Sequence, residues 1–185
     1  MLPFYLVPEL KFDVDAAREY YLNVKDQIWS EKYGKAANLK IWKIDSTLPF
    51  VQEFMNTMQQ PDWVRHLEYF KVPAQTTLPA HIDNGRYVGM NIPIIGDFES
   101  TSLDVYDVSH ISDTIDRSGA KGFGGQAKLI SQVYYKVPVL VNTSIPHGTT
   151  NNTDQDRVII SVSFNEKVNI GTIIRKMLAD EFWKR

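Results

Sequence analysis

The chain contains no cysteine. A disulfide framework, a thiolate metal site and a cysteine nucleophile are therefore excluded, and any metal must be held by nitrogen and oxygen. It also lacks an excess of charge of either sign: 20 basic and 22 acidic residues give a formal net charge of −2, which argues against a nucleic-acid surface as partner. Lys32, Lys35, Lys40 and Lys43 gather, but apolar residues separate them, and a solvated face accounts for them. No run approaches the roughly 20 apolar residues that a membrane span requires. The first ten residues are apolar yet carry Pro3, Pro8 and Glu9 without a basic leader, unlike a signal peptide. A soluble, cytoplasmic protein is expected, its partner a small molecule or peptide, with the sequons at Asn142 and Asn151 as chance matches.

What the chain does have is apolar residues in two different rhythms. Its 185 residues, 43% of them hydrophobic, suit one domain with a sizeable core. Asp13 or Asp15 can cap a helix in which Ala16, Ala17, Tyr20, Tyr21, Val24 and Ile28 recur at helical spacing. Residues 39–44 alternate as a half-buried strand does. Ser46 or Thr47 then opens a second helix with Phe50, Val51, Phe54, Met55 and Met58 inward.

From Trp63 the rhythm changes to short segments rich in β-branched and aromatic residues, separated by proline, glycine and asparagine. Strands are predicted at 68–72, 75–82, 87–94, 102–108, 127–137, 139–143 and 157–164. Asn169 caps a last helix with Ile170, Ile173, Ile174, Met177, Leu178 and Phe182 on one stripe. The expected architecture is mainly β with flanking helices, a jelly-roll barrel with helices on one outer face. Within a single domain, residues 1–62 form a mixed support, 63–165 the barrel and 169–185 a C-terminal helix. Residues 109–126, with Gly119, Gly122, Gly124 and Gly125, read as a long irregular lid or binding loop.

Chemistry concentrates in four residues of the β region. His81 and Asp83 lie two apart, so a strand projects both to the same side as two cis ligands. His147 follows in Pro146-His147-Gly148, read as a turn where Gly148 relieves crowding, and Arg157 comes ten residues later. Two histidines and one carboxylate are what a non-haem Fe(II) site needs when it keeps positions open for substrate and oxygen. In the last strand Val158, Ile160, Val162 and Phe164 share an apolar face. Arg157, Ser161 and Ser163 share the other with one apolar residue, Ile159. A guanidinium half-buried on that face needs an anionic partner: either a core acid such as Glu99 or Asp104, or a carboxylated co-substrate.

The run Leu78-Pro79-Ala80-His81-Ile82-Asp83-Asn84-Gly85-Arg86, with Pro146-His147-Gly148 and Arg157-Val158-Ile159-Ile160-Ser161, resembles the Fe(II)- and 2-oxoglutarate-dependent dioxygenase superfamily. The likeness spans residues 70–164 and is nearest to the prolyl and aspartyl/asparaginyl hydroxylase-like branches. It implies a double-stranded β-helix, a cupin-like jelly roll. It also implies iron on His81, Asp83 and His147, and Arg157 on the C5 carboxylate of 2-oxoglutarate. Many members carry a hydroxyl residue two places after that arginine, where this chain has Ile159. Asn91, Tyr87 and Ser161 are the expected helpers in co-substrate binding, and Arg86 is the expected substrate-binding residue. The implied activity is hydroxylation of an amino-acid side chain, peptide or small metabolite. Two rivals stay open: a cupin-like metalloenzyme that does not use 2-oxoglutarate, and a non-catalytic jelly-roll binding module.

Overall fold

The computed structural model describes residues 2–28, 40–112, 114–117, 120–123 and 126–184. Lys32, Lys35, Gly119, Gly124 and Gly125 lie outside these residues, as does the side chain of Ile28. A short strand β1 (Phe4–Leu6) precedes helix α1 (Val14–Ile28), then β2 (Lys40–Lys43) and helix α2 (Pro49–Thr57). Ten strands follow: β3 (Val64–Val72), β4 (Thr76–Asp83), β5 (Val88–Ile95), β6 (Thr101–Asp107), β7 (Thr114–Arg117), β8 (Ala120–Phe123), β9 (Lys128–Tyr134), β10 (Val139–Asn142), β11 (His147–Asn151) and β12 (Arg157–Phe164). Helix α3 (Ile170–Leu178) closes the order.

The strands form two six-stranded sheets, ordered β1-β10-β5-β12-β3-β2 and β7-β8-β4-β11-β6-β9, and every pairing is antiparallel. The predicted mainly-β jelly roll is thus observed, as two facing sheets whose edges are not joined into a closed barrel.

Alternation on β12 explains why the helices gather on one side. Val158, Ile160, Val162 and Phe164 face outward with Leu67, Tyr69, Val88, Met90 and Ile92, and Ala17, Tyr21, Phe50, Phe54 and Ile173 of the helices cover them. That face is the main hydrophobic core. Asp13 caps α1 by accepting from the Ala16 amide at 2.8 Å, while Asp15 pairs with Arg18 instead. Asn169 accepts from the Thr172 amide and caps α3 as expected. The helix stops at Leu178, earlier than the predicted 185, yet Phe182 is still buried beyond it.

The opposite face of β12 looks into the space between the sheets, where Ile159 packs with Phe98, Leu103, Tyr135, Val139 and Val141. Two expectations need correction there. The stretch around His147 is not a turn but strand β11, inserted between β4 and β6; its sequence His-Gly-Thr-Thr-Asn has too few apolar residues to show the period-2 signal. The segment read as an irregular loop contains the β7–β8 hairpin, which extends the sheet from β4. Asn142 and Asn151 are both buried, which fits chance sequons. Among the described residues no helix is long and apolar enough to cross a membrane.

Candidate metal centre

Strands β4 and β11 pair with His81 directly opposite His147. The register then slips, so that Pro79 and Ala80 of β4 face the single Gly148 of β11. A proline has no amide hydrogen to give to a ladder, so it is tolerated where the pairing is interrupted. Asp83 follows His81 by two residues and projects to the same side. The result brings the His81 and His147 rings to 4.3 Å between centroids. The carboxylate sits between them: its Oδ1 is 3.5 Å from His81 Nε2, and its Oδ2 is 4.0 Å from His147 Nε2. One ligand atom from each of the three residues falls within 4.8 Å of the others.

Both imidazoles are oriented for coordination by the same device. Nδ1 of His81 lies 2.9 Å from the Pro79 carbonyl, and Nδ1 of His147 lies 2.9 Å from the Ile145 carbonyl. Each Nδ1 must carry the hydrogen, because a carbonyl only accepts; the Nε2 atoms, which in the neutral ring keep their lone pair, face the other ligands. Burial, and then His81, pull the His147 imidazole down to about 4 against the opposing effect of Asp83. Burial pushes the Asp83 carboxyl up, but Arg86 and the two imidazoles outweigh it and hold the group below its ordinary value. Asp83 is thus held as a carboxylate and His147 as a neutral imidazole at neutral pH. Two imidazole nitrogens and one carboxylate are donors that would suit a divalent iron.

The depressed imidazole makes a pH prediction. Unfolding returns His147 to its ordinary value near 6.5, so below that pH the unfolded chain binds a proton that the folded chain refuses. Stability therefore falls as pH falls. Metal-free protein is expected to lose about 2.5 kcal/mol between about pH 7 and 4.5 from this group alone. Urea titrations in chelator measure the loss, and His147→Gln should flatten the slope; an unchanged slope would disprove a neutral, buried His147.

Arg157 lies deeper on the inter-sheet face, 2% exposed. Its Nη1 donates to the Thr149 hydroxyl and its Nη2 to the Tyr135 hydroxyl, and its guanidinium stands over the Phe98 and Tyr135 rings at 5.3 and 5.0 Å. Neither proposed core acid claims it: Glu99 pairs with Lys136, and Asp104 accepts from Ser102, Tyr106, Gln132 and Thr150. Burial pulls its pKa down to about 9, with Asp104 opposing from a distance. It is a buried cation held by neutral hydroxyls, and among the described residues no carboxylate is in ion-pairing range. Thr149 also donates to the Ser102 carbonyl at 2.5 Å. It stands two residues beyond His147 on β11, about 7 Å along the strand and on the same face.

The other sequence-predicted residues are distributed unequally. Asn91 sits on the inner face of β5, opposite Val139 on one side and Ser161 on the other. Ser161 and Ser163 accept from Arg86, whose Nε donates to Asp83 Oδ2 at 2.6 Å. Tyr87 is 51% exposed, and the Arg157 guanidinium donates to Thr149 and Tyr135 rather than to Asn91, Tyr87 or Ser161. Sequence reasoning assigned no site role to Tyr135 or Thr149. His66 is half-buried on the inner face of β3, 3.2 Å from Glu68. His110 is exposed beside the Gln126 carbonyl.

The fold and the site together define a double-stranded β-helix carrying a two-histidine, one-carboxylate group between its sheets. No protein-family model matches the sequence, and no curated protein does. Solved structures do. A prolyl-4-hydroxylase from Pseudomonas putida superposes with a TM-score of 0.55 at 11% identity, covering 89% of this chain and 92% of that one. HygX from Streptomyces hygroscopicus, with nickel and 2-oxoglutarate bound, gives 0.53 at 12% identity over 89% and 82%. The epimerase SnoN, in complex with Fe3+, alpha ketoglutarate and nogalamycin RO, gives 0.55 at 11% identity over 89% and 79%. At such identities the likeness establishes the shared fold, with this chain spanning most of each neighbour.

Proposed function

We propose that the protein is an Fe(II)- and 2-oxoglutarate-dependent oxygenase that oxidises, most simply by hydroxylation, a small molecule. The observation that carries this reading is the pairing of the His81, Asp83 and His147 group with a buried Arg157 that has no carboxylate in ion-pairing range among the described residues. A buried cation without a counter-charge is costly, and a dicarboxylate reaching from the metal to Arg157 removes the cost. The known neighbours that hold 2-oxoglutarate with nickel or Fe3+ on this fold support the same assignment.

The iron and 2-oxoglutarate, when bound, supply the oxidising power: oxygen is consumed as 2-oxoglutarate loses carbon dioxide to become succinate, and a substrate C–H bond is oxidised. The chain's own residues orient and enclose. His81, Asp83 and His147 would hold the metal. Arg157 anchors the far carboxylate of the co-substrate, and Tyr135, which accepts from Arg157, keeps its own proton to donate to that anion. Thr149 positions the guanidinium. Phe98, Ile159, Leu103 and Val141 exclude water from the anchor, which strengthens the charged contacts there. Asn91 offers a further amide on the same face. No side chain need act as general base.

The test is calorimetric titration of 2-oxoglutarate into metal-free and anaerobic Fe(II)-loaded protein, followed by oxygen. Binding should require the metal, and succinate should appear mole for mole with the 2-oxoglutarate consumed. Absence of 2-oxoglutarate binding to the loaded protein at millimolar concentration would sink the proposal.

A further inference from the structure

An arginine following an Asn-Gly turn commonly points into solvent, but Arg86 does not. Gly85 takes a left-handed conformation, φ 76°, and turns the chain back over the end of β4. The Arg86 side chain is 21% exposed. Its Nε donates to Asp83 Oδ2 at 2.6 Å, and its Nη1 donates to Ser161 and Ser163 at 3.2 and 3.3 Å. Asp83 belongs to one sheet and the two serines to the other, so one guanidinium bridges the cleft. The Thr143 hydroxyl fixes the Arg86 carbonyl at 3.1 Å. The guanidinium packs against Gly89, where a Cβ would meet Nη1 at 3.4 Å and Cζ at 3.6 Å.

We infer that Arg86 is a positioning residue that keeps Asp83 a one-oxygen metal ligand by holding its second oxygen against the β12 floor. The inference rests on the metal-centre reading above. Asp83 Oδ1, 3.5 Å from His81 Nε2, is the oxygen left for the metal. A carboxylate gripping with both oxygens would take a fourth position of six. That would leave two, where a two-point co-substrate and oxygen together need three. A charge-assisted hydrogen bond to Oδ2, itself anchored by two hydroxyls, opposes that rotation. Lysine cannot reproduce it, since a single ammonium has no planar fork to span carboxylate and floor.

The experiment uses the whole protein with Co(II) and 2-oxoglutarate as probes. Arg86→Gln is expected to bind Co(II) within about threefold of the wild type, to change the visible Co(II) spectrum, and to weaken 2-oxoglutarate binding at least tenfold. Arg86→Lys, which retains the cation beside Asp83, is expected to fall between the two, and it decides the matter should the glutamine variant not fold. Ser161→Ala with Ser163→Ala should also shift the Co(II) spectrum, through loss of the floor. Wild-type spectra and co-substrate affinity in the folded arginine variants, with only a lowered melting temperature, would overturn the inference and leave the parent reading intact. Wild-type protein that bound no Co(II) would remove both.

Discussion

Arg157→Met is expected to make the metal-free protein more stable while destroying co-substrate binding. The native guanidinium is buried with no carboxylate in ion-pairing range among the described residues, and burial pulls its pKa down to about 9. Replacing a buried ion by an apolar side chain of similar length stabilises by about 1–4 kcal/mol in comparable cases. Against that, the Tyr135 and Thr149 hydroxyls lose their donor; Thr149 keeps the Ser102 carbonyl, so the unmet cost falls mainly on Tyr135, about 1–3 kcal/mol. The net expectation is a small gain, roughly 2–5 °C in melting temperature for a chain of this size. Binding of 2-oxoglutarate to the Co(II)-loaded protein should meanwhile weaken by about 10²–10⁴, since truncating one partner of a buried charge pair costs about 3–5 kcal/mol. Calorimetry and thermal melts on one preparation read both effects. Retention of 2-oxoglutarate affinity within tenfold would mean that the carboxylate partner lies elsewhere.

Gly148→Ala is expected to damage both the fold and the metal site. A Cβ there would lie 2.5 Å from the Leu78 carbonyl oxygen and 3.1 Å from Cε2 of Tyr106. The first neighbour is backbone, so no rotamer change relieves it, and β4 must move away from β11. Those strands carry His81 and His147 in direct register. Overpacking of this kind costs about 3 kcal/mol, or roughly 6–12 °C in melting temperature, and Co(II) affinity should fall at least tenfold because the two imidazoles separate. A variant with wild-type melting temperature and wild-type Co(II) titration would show that the strands have slack the structure does not suggest.

Much of the architecture is legible from local pattern. The alternation of β12, with Val158, Ile160, Val162 and Phe164 on one face, states which side meets the helices, and that side carries the main core. Helical spacing in α1 and α3, with caps at Asp13 and Asn169, works for the same reason: the burial period is written within a few turns of chain. Strand β11 was not legible, because its Thr- and Gly-rich sequence is buried by neighbours on both sides rather than by its own hydrophobicity. The β7–β8 hairpin was hidden for a related reason. Its strands are short and polar, and they exist by pairing with each other and with β4.

The sequence by itself determined the kind of chemistry available. Without cysteine, two histidines and an aspartate were the donor set to consider, and an arginine on a strand face predicted an anion. Spacing supplied His81 and Asp83 on one side of a strand because that relation is local. Tertiary structure decided everything that depends on contacts distant in the chain. It set His147 across from His81 through a slipped register, and it surrounded Arg157 with Tyr135 and Thr149 rather than an acid. It also made Arg86, expected as a substrate-binding residue, a bridge between Asp83 and β12. Those outcomes are set by which strands and sheets become neighbours, and side-chain contacts between separate segments, from 8 to 77 positions apart, leave no periodic trace in either segment.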